Sequence, residues 1–457
     1  MDVGRGLELQ KMNGQHSRDL GPDKLNLEDG NAIMGSGILG LAYAMSNTGI
    51  VLFLILLLCI AILSAYSIHL LLRSAGVVGI RAYEQLGHRA FGQPGKVLAG
   101  SIITMHNIGA MSSYLFIVKS ELPLVMQAFL GLKDNTGWPV LCCLMSLVII
   151  VFPLSLMRHL GYLGYTSGFS LSCMVFFLIS VIYKKFNIPC PLEKITSQDN
   201  HLVSVLGESH DNHSFVSSDV DFCEAQSFTI NMKTAYTIPI LAFAFVCHPE
   251  VLPIYTELRD ATKKRMQTVA NISILAMFVM YGLTAIFGYL TFFGGVDSEL
   301  LHTYIKVDPL DTLILCVRMA VLVAVTLTVP VVLFPIRRAL LQLLFPEKPF
   351  HWAHHISIAV CLLVIVNLLV IFVPTIRDIF GIIGKCAETE TCKMTGCGFS
   401  ANLVKIHRLL LYKVETKMST TLMAACFAAL GFVFMVMSTS FIILDWVSGE
   451  SRSGGGH

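Results

Sequence analysis

The stretch Asn31–Met45, NAIMGSGILGLAYAM, is apolar enough for a membrane helix but too short and too rich in glycine to be an ordinary one. A helix that crosses a bilayer needs about 20 apolar residues, and this run covers only residues 31–46. Gly35, Gly37 and Gly40 each destabilise a helix by roughly 1 kcal/mol relative to alanine. The stretch is therefore predicted to be a membrane segment in which the helix is interrupted.

The composition of the whole chain indicates an integral membrane protein with many spans. Of its 457 residues, 54% are hydrophobic and 14% are charged, whereas soluble domains carry about 25% charged residues. The net charge is only +2 and the sequence has no basic patch with interleaved aromatic residues, which argues against nucleic acid as a partner. We therefore predict an all-α, polytopic protein surrounded by membrane lipid.

Apolar blocks give about ten candidate spans by the length that a bilayer requires. The blocks lie near residues 31–46, 49–72, 98–130, 138–157, 161–183, 234–256, 268–293, 311–336, 355–375 and 419–446. The predicted parts of the chain are a disordered cytosolic tail (1–30), spans one to five (31–183), a long loop (184–233), spans six to nine (234–384), an atypical polar segment (385–418), and the last span with a short tail (419–457).

The long polar loop 184–233 is predicted to lie outside the cell. It contains Asn212-His213-Ser214, which is an N-glycosylation acceptor, and it is bracketed by Cys190 and Cys223. Glycans and disulfides both belong to the extracellular side, so we predict a Cys190–Cys223 disulfide, with two free thiols as the alternative.

The distribution of basic residues supports the same sidedness. Short loops rich in lysine and arginine stay in the cytosol, and the basic loops here alternate with the loop 184–233 along the chain. They contain Arg73, Arg81, Arg89, Lys96, Arg158, Arg259, Lys263, Lys264, Arg265, Arg337 and Arg338. The N-terminus is therefore predicted to be cytosolic, and Lys184 and Lys185 are exceptions at the start of the outer loop.

A second interrupted membrane segment is predicted at Thr237–Pro253, where Pro239, Pro249 and Pro253 disturb the sixth span. Interrupted spans at corresponding positions, the first and the sixth, indicate inverted repeats with a substrate site between them. The amino ends of half-helices suit a carboxylate, and freed carbonyls suit a sodium ion. The alternative is that the small residues only allow helices to pack closely.

The eighth span adds hydroxyl and charged groups at membrane depth. Thr326 and Thr328 offer hard oxygen ligands for a cation, although a threonine in a span usually bonds to its own backbone. Arg318 is a costly intramembrane charge, and its expected role is a structural pair with a carbonyl or a nearby acid.

Several long blocks in the same order resemble the sodium-coupled neutral amino acid transporters of the amino acid/auxin permease group. The resemblance covers about residues 31–384 and resumes at about residue 419. The blocks near 79–85, 106–107 and 447–452 are most similar to the system N members, with the system A members as the alternative. The other blocks are NAIMGSGILGLAYAM (31–45), AYEQLGHRAFG (82–92), NIGAMSSYLFIVKSELPLV (107–125), HLGYLGYTSG (159–168), FAFVCHPEVLPIYTEL (243–258), VTLTVPVVLFPIRRA (325–339) and VPTIRDIFG (373–381).

The resemblance implies a multi-pass plasma-membrane transporter rather than an enzyme. It implies 11 spans, arranged as two inverted five-span repeats of the LeuT type with one extra helix. It also implies symport of one sodium ion with a neutral amino acid, namely glutamine, histidine or asparagine, in exchange for a proton. The family's sodium-linked asparagine and threonine match Asn31 and Thr328, and its extracellular disulfide matches Cys190 and Cys223. Sodium is the only metal expected, with no transition metal and no cofactor.

The substrate site is expected between the two interrupted spans. Backbone groups of the first span would hold the carboxylate, and the sixth span would meet the amino group and side chain. The residues are Gly35, Ser36 and Gly37 in the first span and Phe243, Phe245 and Cys247 in the sixth. Proton coupling needs a group that titrates near neutral pH, and histidine is such a group. The candidates are His106, His248 and His457.

The sequence departs from the family pattern in two places. Polar residues 26–30 stand where the family begins its first span, and charged residues fill 385–418 where the family has its tenth span. Cys386, Cys392 and Cys397 in that segment have wider spacing than zinc sites favour. A non-transporting or defective splice isoform is therefore the alternative function.

Overall fold

The computed structural model describes residues 36–130, 151–156, 163–188, 224–230, 234, 237–258, 262–307, 311–344 and 351–372, together with residues 429 and 440. Every regular element in these ranges is helical, which confirms the all-α prediction. Seven segments of the described ranges are long and apolar enough to cross a membrane, and one of them, Thr237–Thr256, consists of two short helices. Other predictions lie outside the described residues, namely those for Asn31, Gly35, Cys190, Asn212, Cys223, His457 and the segment 385–418.

The described part of the opening stretch begins as a 3-10 helix rather than an α-helix. A 3-10 helix covers Ser36–Gly40 and continues into α1, Leu41–Ser46. The chain then turns, because Gly49 adopts φ +78°, a conformation that side chains rarely take. A Cβ atom at Gly49 would also lie 2.6 Å from the Ser227 carbonyl oxygen. The turn is therefore pressed against the end of the predicted outer loop.

Eleven further helices follow within the described ranges. They are α2 (Ile50–Val78), α3 (Tyr83–Phe91), α4 (Gln93–Leu130), α5 (Phe152–Ser155), α6 (Leu163–Asn187), α7 (Thr237–Ala244), α8 (His248–Glu257), α9 (Lys263–Phe292), α10 (Leu300–Val307), α11 (Thr312–Leu344) and α12 (Trp352–Phe372). The centre of the bundle is α11, which packs against α4 and α6. Helix α9 covers α1, α2 and α6, and α12 lies against α4.

One face of α2 remains exposed although it is apolar. Ile55 and Ile62 are 51% and 59% exposed, and residues seven apart lie on the same side of a helix. No soluble protein needs such a stripe, whereas a helix that faces hydrocarbon does. The outward face of α2 is therefore suited to contact lipid.

The structure explains the two basic residues at the start of the predicted outer loop. Lys184 forms an ion pair with Asp311, and the Lys185 ammonium donates to the Leu290 carbonyl at 2.6 Å. Both lysines therefore tie the end of α6 to neighbouring helix ends. The segment 224–230 lies at the same end, because the Gln226 backbone N–H donates to the Tyr289 hydroxyl at 3.0 Å.

Candidate substrate and ion site

The predicted break in the sixth span is present. Helix α7 ends at Ala244, α8 begins at His248, and the three residues between them are not helical. The backbone N–H of Val246 donates to the Phe243 carbonyl at 3.2 Å, a tightened turn that ends α7. Proline at the second position of α8 cannot donate a hydrogen bond and costs nothing at the start of a helix. The sequence His248-Pro249 thus favours a new helix here.

The two interrupted segments are in direct contact. The 3-10 helix packs against α7, and a Cβ atom at Gly37 would lie 2.9 Å from both Cα and Cβ of Ala244. The Thr237 hydroxyl donates to the Ala44 carbonyl at 3.2 Å, which joins α7 to α1. The structure therefore brings Gly37 and Ser36 of the predicted substrate site next to the sixth-span residues, with no room for a side chain at position 37.

Tyrosine hydroxyls bind carbonyl groups on both sides of the break, at the end of α7 and at the start of α8. The Tyr281 hydroxyl of α9 donates to the Ala244 carbonyl at 3.0 Å, and the Tyr83 hydroxyl of α3 donates to the His248 carbonyl. Burial and the charge of Glu250 raise the pKa of Tyr83 well above its ordinary value, so that this hydroxyl keeps its proton. Sequence reasoning missed both tyrosines, because nothing near the break in the sequence points to them.

The three predicted side chains of the sixth span are buried. Phe243 is 6% exposed, and Phe245 and Cys247 have no exposed surface. The ring of Phe245 packs edge-on against Tyr281, with 5.3 Å between the ring centroids. An aromatic pair at this distance stabilises both rings. Tyr281 therefore contacts both the Ala244 carbonyl and the Phe245 ring at the break.

Ionisable groups from three helices converge on the break. His106 and Tyr114 belong to α4, His248 and Glu250 to α8, and Tyr83 to α3; we call these five residues the break cluster. His106 and His248 are within electrostatic range of each other, as are Glu250 and both tyrosines. Four of the five residues are less than 7% exposed. The structure thus brings two of the three predicted proton-coupling histidines together.

Polar atoms of the break cluster lack partners. Both ring nitrogens of His248 and Oε1 of Glu250 are buried without a hydrogen bond to any described residue. Burying a polar group without a partner costs free energy, and burying an unpaired charge costs much more. Sequence reasoning missed Glu250, although an acid inside a span is itself a signal of function.

The two predicted sodium ligands of the eighth span differ in surroundings. Thr328 Oγ1 donates to the Ala324 carbonyl at 2.8 Å and lies 3.3 Å from Ser170 Oγ of α6, which donates to the same carbonyl at 2.9 Å. Thr326 Oγ1 donates to the Leu322 carbonyl at 2.7 Å. Residues two apart on a helix do not face each other. The hydroxyl groups of Thr326 and Thr328 therefore do not converge on one ion. The hydroxyl groups of Thr328 and Ser170, in contrast, lie next to each other at the Ala324 carbonyl.

The expected partner of Arg318 is an acid. The Arg318 side chain, on α11, donates from Nε to Glu121 Oε2 of α4 at 2.5 Å, and Glu121 has no exposed surface. This pair confirms the structural role predicted for the arginine.

Comparisons with known proteins agree with this geometry. The family model described as transmembrane amino acid transporter protein matches residues 30–444. The sodium-coupled neutral amino acid symporter 2 of Danio rerio is 52% identical over 448 residues, which cover 96% of this chain and 86% of that protein. The sodium-coupled neutral amino acid transporter 4 of Homo sapiens is 51% identical over 461 residues, with 91% and 83% covered.

Two solved structures share the arrangement of helices. The closed conformation of MHP1, a nucleobase-cation-symport-1 family transporter with bromovinylhydantoin bound, matches with a TM-score of 0.55 at 12% identity and covers 95% of this chain and 94% of that one. MhsT in complex with L-phenylalanine matches with a TM-score of 0.55 at 13% identity and covers 91% and 98%. At these identities the similarity shows the fold alone, which is the predicted LeuT-like transporter fold.

Proposed function

The chain belongs to the transmembrane amino acid transporter protein family, and on that premise we propose that it carries neutral amino acids across the plasma membrane together with sodium. The names of its relatives describe sodium-coupled transport of neutral amino acids. Glutamine, histidine and asparagine are the substrates we propose first, and small neutral amino acids are the alternative. The proposed topology places the N-terminus in the cytosol. The end of α6 and the start of α11, which the Lys184–Asp311 ion pair joins, lie outside.

The observation that carries the proposal is the contact of the two interrupted segments at Gly37 and Ala244. Backbone N–H groups at the start of a helix attract a carboxylate, and unpaired carbonyls attract a cation. We assign the carboxylate to the backbone of Gly35, Ser36 and Gly37. The amino group and side chain of the substrate would then meet the sixth span near Phe243, Phe245 and Cys247.

For sodium we propose a site that includes Thr328 and Asn31. A hydroxyl that donates its proton to a backbone carbonyl keeps its oxygen lone pairs for a cation. Thr328 and Ser170 both donate to the Ala324 carbonyl, so their two hydroxyl oxygens lie close together and can both bind a cation. Thr326 is a weaker candidate, because its hydroxyl lies on another face of α11.

Uptake of labelled glutamine in cells that express the full chain tests the transport proposal. We expect uptake that is lost when choline replaces sodium, with surface biotinylation confirming that the protein reaches the membrane. Competition by histidine and asparagine supports the first substrate set, and stronger competition by alanine and serine supports the alternative. Normal surface protein without sodium-dependent uptake of any of these amino acids would refute transport and favour a non-transporting isoform.

Two matched variants test the sodium site. Both Thr328→Val and Thr326→Val remove a buried hydroxyl that bonds to its own helix, so each loses a similar local hydrogen bond. We expect Thr328→Val to raise the sodium concentration for half-maximal uptake by about tenfold or more, because losing one ligand of an ion costs roughly 1.4 kcal/mol or more. Thr326→Val should change it little. Equal effects of the two variants would remove Thr328 from the site.

Proton antiport is the second function that we propose, and the unpartnered atoms of the break cluster favour it. A proton carrier needs buried sites whose protonation can change during the cycle. His106 lies within electrostatic range of His248, Glu250 follows His248 by two residues, and both ring nitrogens of His248 lack a hydrogen bond to any described residue. We expect sodium-dependent glutamine uptake to alkalinise the cytosol, measured with a pH-sensitive dye. The variant His248→Asn should uncouple the pH change from uptake, and an unchanged dye signal per glutamine would exclude His248.

A further inference from the structure

A second group of ionisable side chains joins α10 to α4 and α11. Its members are Glu121 of α4, Glu299 immediately before α10, His302 within α10, and Arg318 of α11; we call this group the α10 cluster. Glu299 and His302 are three residues apart, a Glu-x-x-His spacing that places both side chains on one side of a helix. Neither glutamate has more than 2% of its surface exposed.

Three ligand atoms of the α10 cluster face one another. His302 Nε2 lies 3.4 Å from Glu121 Oε1 and 3.9 Å from Glu299 Oε2. Atoms from these three side chains all lie within 4.8 Å of one another. A tetrahedral zinc ion with bonds of about 2.0–2.2 Å holds its ligands roughly 3.3–3.6 Å apart. The two distances from His302 Nε2 need shifts of at most a few tenths of an ångström, and the distance between the two glutamates, which is at most 4.8 Å, needs up to roughly 1.5 Å.

Two of these ligand atoms have no hydrogen bond. Glu121 Oε1 and His302 Nε2 are buried without one within the described ranges. The Glu299 carboxyl group is 2% exposed and interacts with the Ser120 side chain. Although 39% of the His302 side chain is exposed, its Nε2 atom is not. The ring therefore turns its free nitrogen toward the glutamates and its other edge toward solvent, which gives an ion a way in.

The arginine of the α10 cluster binds only one oxygen of one glutamate. Arg318 donates to Oε2 of Glu121 and leaves Oε1 for another partner. Metal sites usually contain such an outer partner, which orients a carboxylate while its second oxygen binds the ion. Glu121 Oε1 lies 3.4 Å from His302 Nε2.

We propose that Glu121, Glu299 and His302 form a binding site for Zn²⁺ or a divalent transition metal of similar ligand preference. Two carboxylates and an imidazole suit zinc, whereas Mg²⁺ and Ca²⁺ prefer an all-oxygen set. Three protein ligands leave a fourth position for water on the exposed side of His302.

Zinc at this site would slow movement of the first interrupted span. Helix α10 contacts both α11 and the 3-10 helix at Ser36–Gly40. An ion shared by α4 and α10 fixes α10 in place, and the 3-10 helix beneath it loses freedom to move. Under the proposed topology this end of the bundle faces outside, so added zinc inhibits uptake. Only this inhibition rests on the proposed transport function, whereas the binding itself does not.

Zinc binding to the purified full chain in detergent is therefore the primary test. The protein is stripped with a chelator, and thermal unfolding is followed against ZnCl₂, with MgCl₂ as a comparison. We expect Zn²⁺, and not Mg²⁺, to raise the unfolding midpoint. His302→Ala should increase the zinc concentration for the half-maximal shift by about tenfold or more, and His302→Cys, which restores a zinc ligand, should recover most of it. The matched control is Asp297→Asn. Asp297 precedes α10 but forms an ion pair with Lys306 and is not a member of the α10 cluster.

Three results would overturn the proposal. These are an absent shift in the unmodified chain, an equal shift with Mg²⁺, and an equal zinc response in the unmodified and His302→Ala proteins. In cells that take up glutamine, external Zn²⁺ should inhibit the unmodified chain and Asp297→Asn but not His302→Ala. If binding is seen and uptake is absent, the zinc site stands and the transport proposal fails.

Discussion

The break cluster and the α10 cluster both contain histidines and buried carboxyl groups contributed by neighbouring helices, yet they differ in how charge is compensated. Glu121 of the α10 cluster is held by Arg318 at 2.5 Å, whereas Glu250 of the break cluster has no ion pair to the described helices. Helix α4 contributes to both clusters, with His106 to one and Glu121 to the other. The same long helix thus links two sites of different character.

The difference separates the Glu121–Arg318 ion pair, which connects two helices, from a site that is suited to exchanging protons. A buried carboxylate that meets an arginine directly is a structural connection, because removing either partner leaves a charge without compensation. Glu250 has no such ion pair among the described helices and lies two residues from His248, whose ring nitrogens lack hydrogen bonds there, so this site is suited to gaining and losing a proton. We therefore expect changes at the two clusters to affect different measurements.

The largest effect on stability is expected at the arginine. Arg318→Met leaves Glu121 and Glu299 buried without their cation, which costs about 3–5 kcal/mol of folding free energy. Surface biotinylation should show little mature protein, and the thermal midpoint in detergent should fall. The double variant Glu121→Gln with Arg318→Met removes both partners and should regain most of the loss. A single variant as stable as the unmodified chain would mean that the Glu121–Arg318 ion pair does not stabilise the fold.

The second effect is expected on pH dependence rather than on stability. Glu250→Gln keeps the shape of the side chain and removes its charge, so surface protein should match the unmodified chain. Sodium-dependent uptake should then become flat from about pH 6 to about pH 8, because glutamine cannot gain or lose the proton that the buried carboxyl group exchanges in this range. An unchanged pH profile would assign Glu250 a purely structural place and weaken the contrast between the clusters.

A smaller effect is expected at the tyrosine that holds the break. Tyr281→Phe removes the donor to the Ala244 carbonyl and should cost about 1 kcal/mol of unfolding free energy. Tyr289→Phe on the same helix removes a hydroxyl that accepts from the Gln226 backbone, away from the break. Both variants should show similar losses in thermal stability, but only Tyr281→Phe should lower uptake. Equal uptake in the two variants would contradict a functional role for the tyrosine.

The smallest effect is expected at the exposed edge of α10. Lys306 pairs with Asp297 at 2.6 Å, but 70% of the lysine side chain is exposed. Exposed pairs of this kind contribute about 0–1 kcal/mol. Lys306→Ala should therefore leave the thermal midpoint in detergent nearly unchanged. A marked fall would show that α10 depends on its surface charges more than on the buried cluster.

Much of the architecture could be predicted from local sequence. Apolar blocks located the seven described spans, since each must cover the thickness of a bilayer. Prolines located the interruption of the sixth span, because they act through their own backbone. The histidines of α4 and α8 were also named as candidates, since an ionisable residue within a span stands out by its residue type alone.

Other parts of the site could not be predicted from local sequence. The hydroxyl groups of Tyr83, Tyr281 and Ser170 donate hydrogen bonds to carbonyls that lie far away in sequence. Tyrosine and serine occur in many helices, so their residue type alone does not mark them as part of the site. Thr326 and Thr328 were predicted together from their spacing, but the helical repeat directs their hydroxyls to different neighbours. Which of the two meets a second hydroxyl depends on where α6 packs.

The sequence by itself determined that the chain lies in a membrane, that two spans are broken, and which family its blocks resemble, because hydropathy and backbone-breaking residues act within a few turns of one helix. Only the tertiary structure decided that Gly37 touches Ala244, that His106 comes within electrostatic range of His248, and that Glu121 faces Glu299 and His302. These groups come from separate helices. Their meeting is set by the packing of whole helices, and charge compensation is a property of that packing rather than of any single segment.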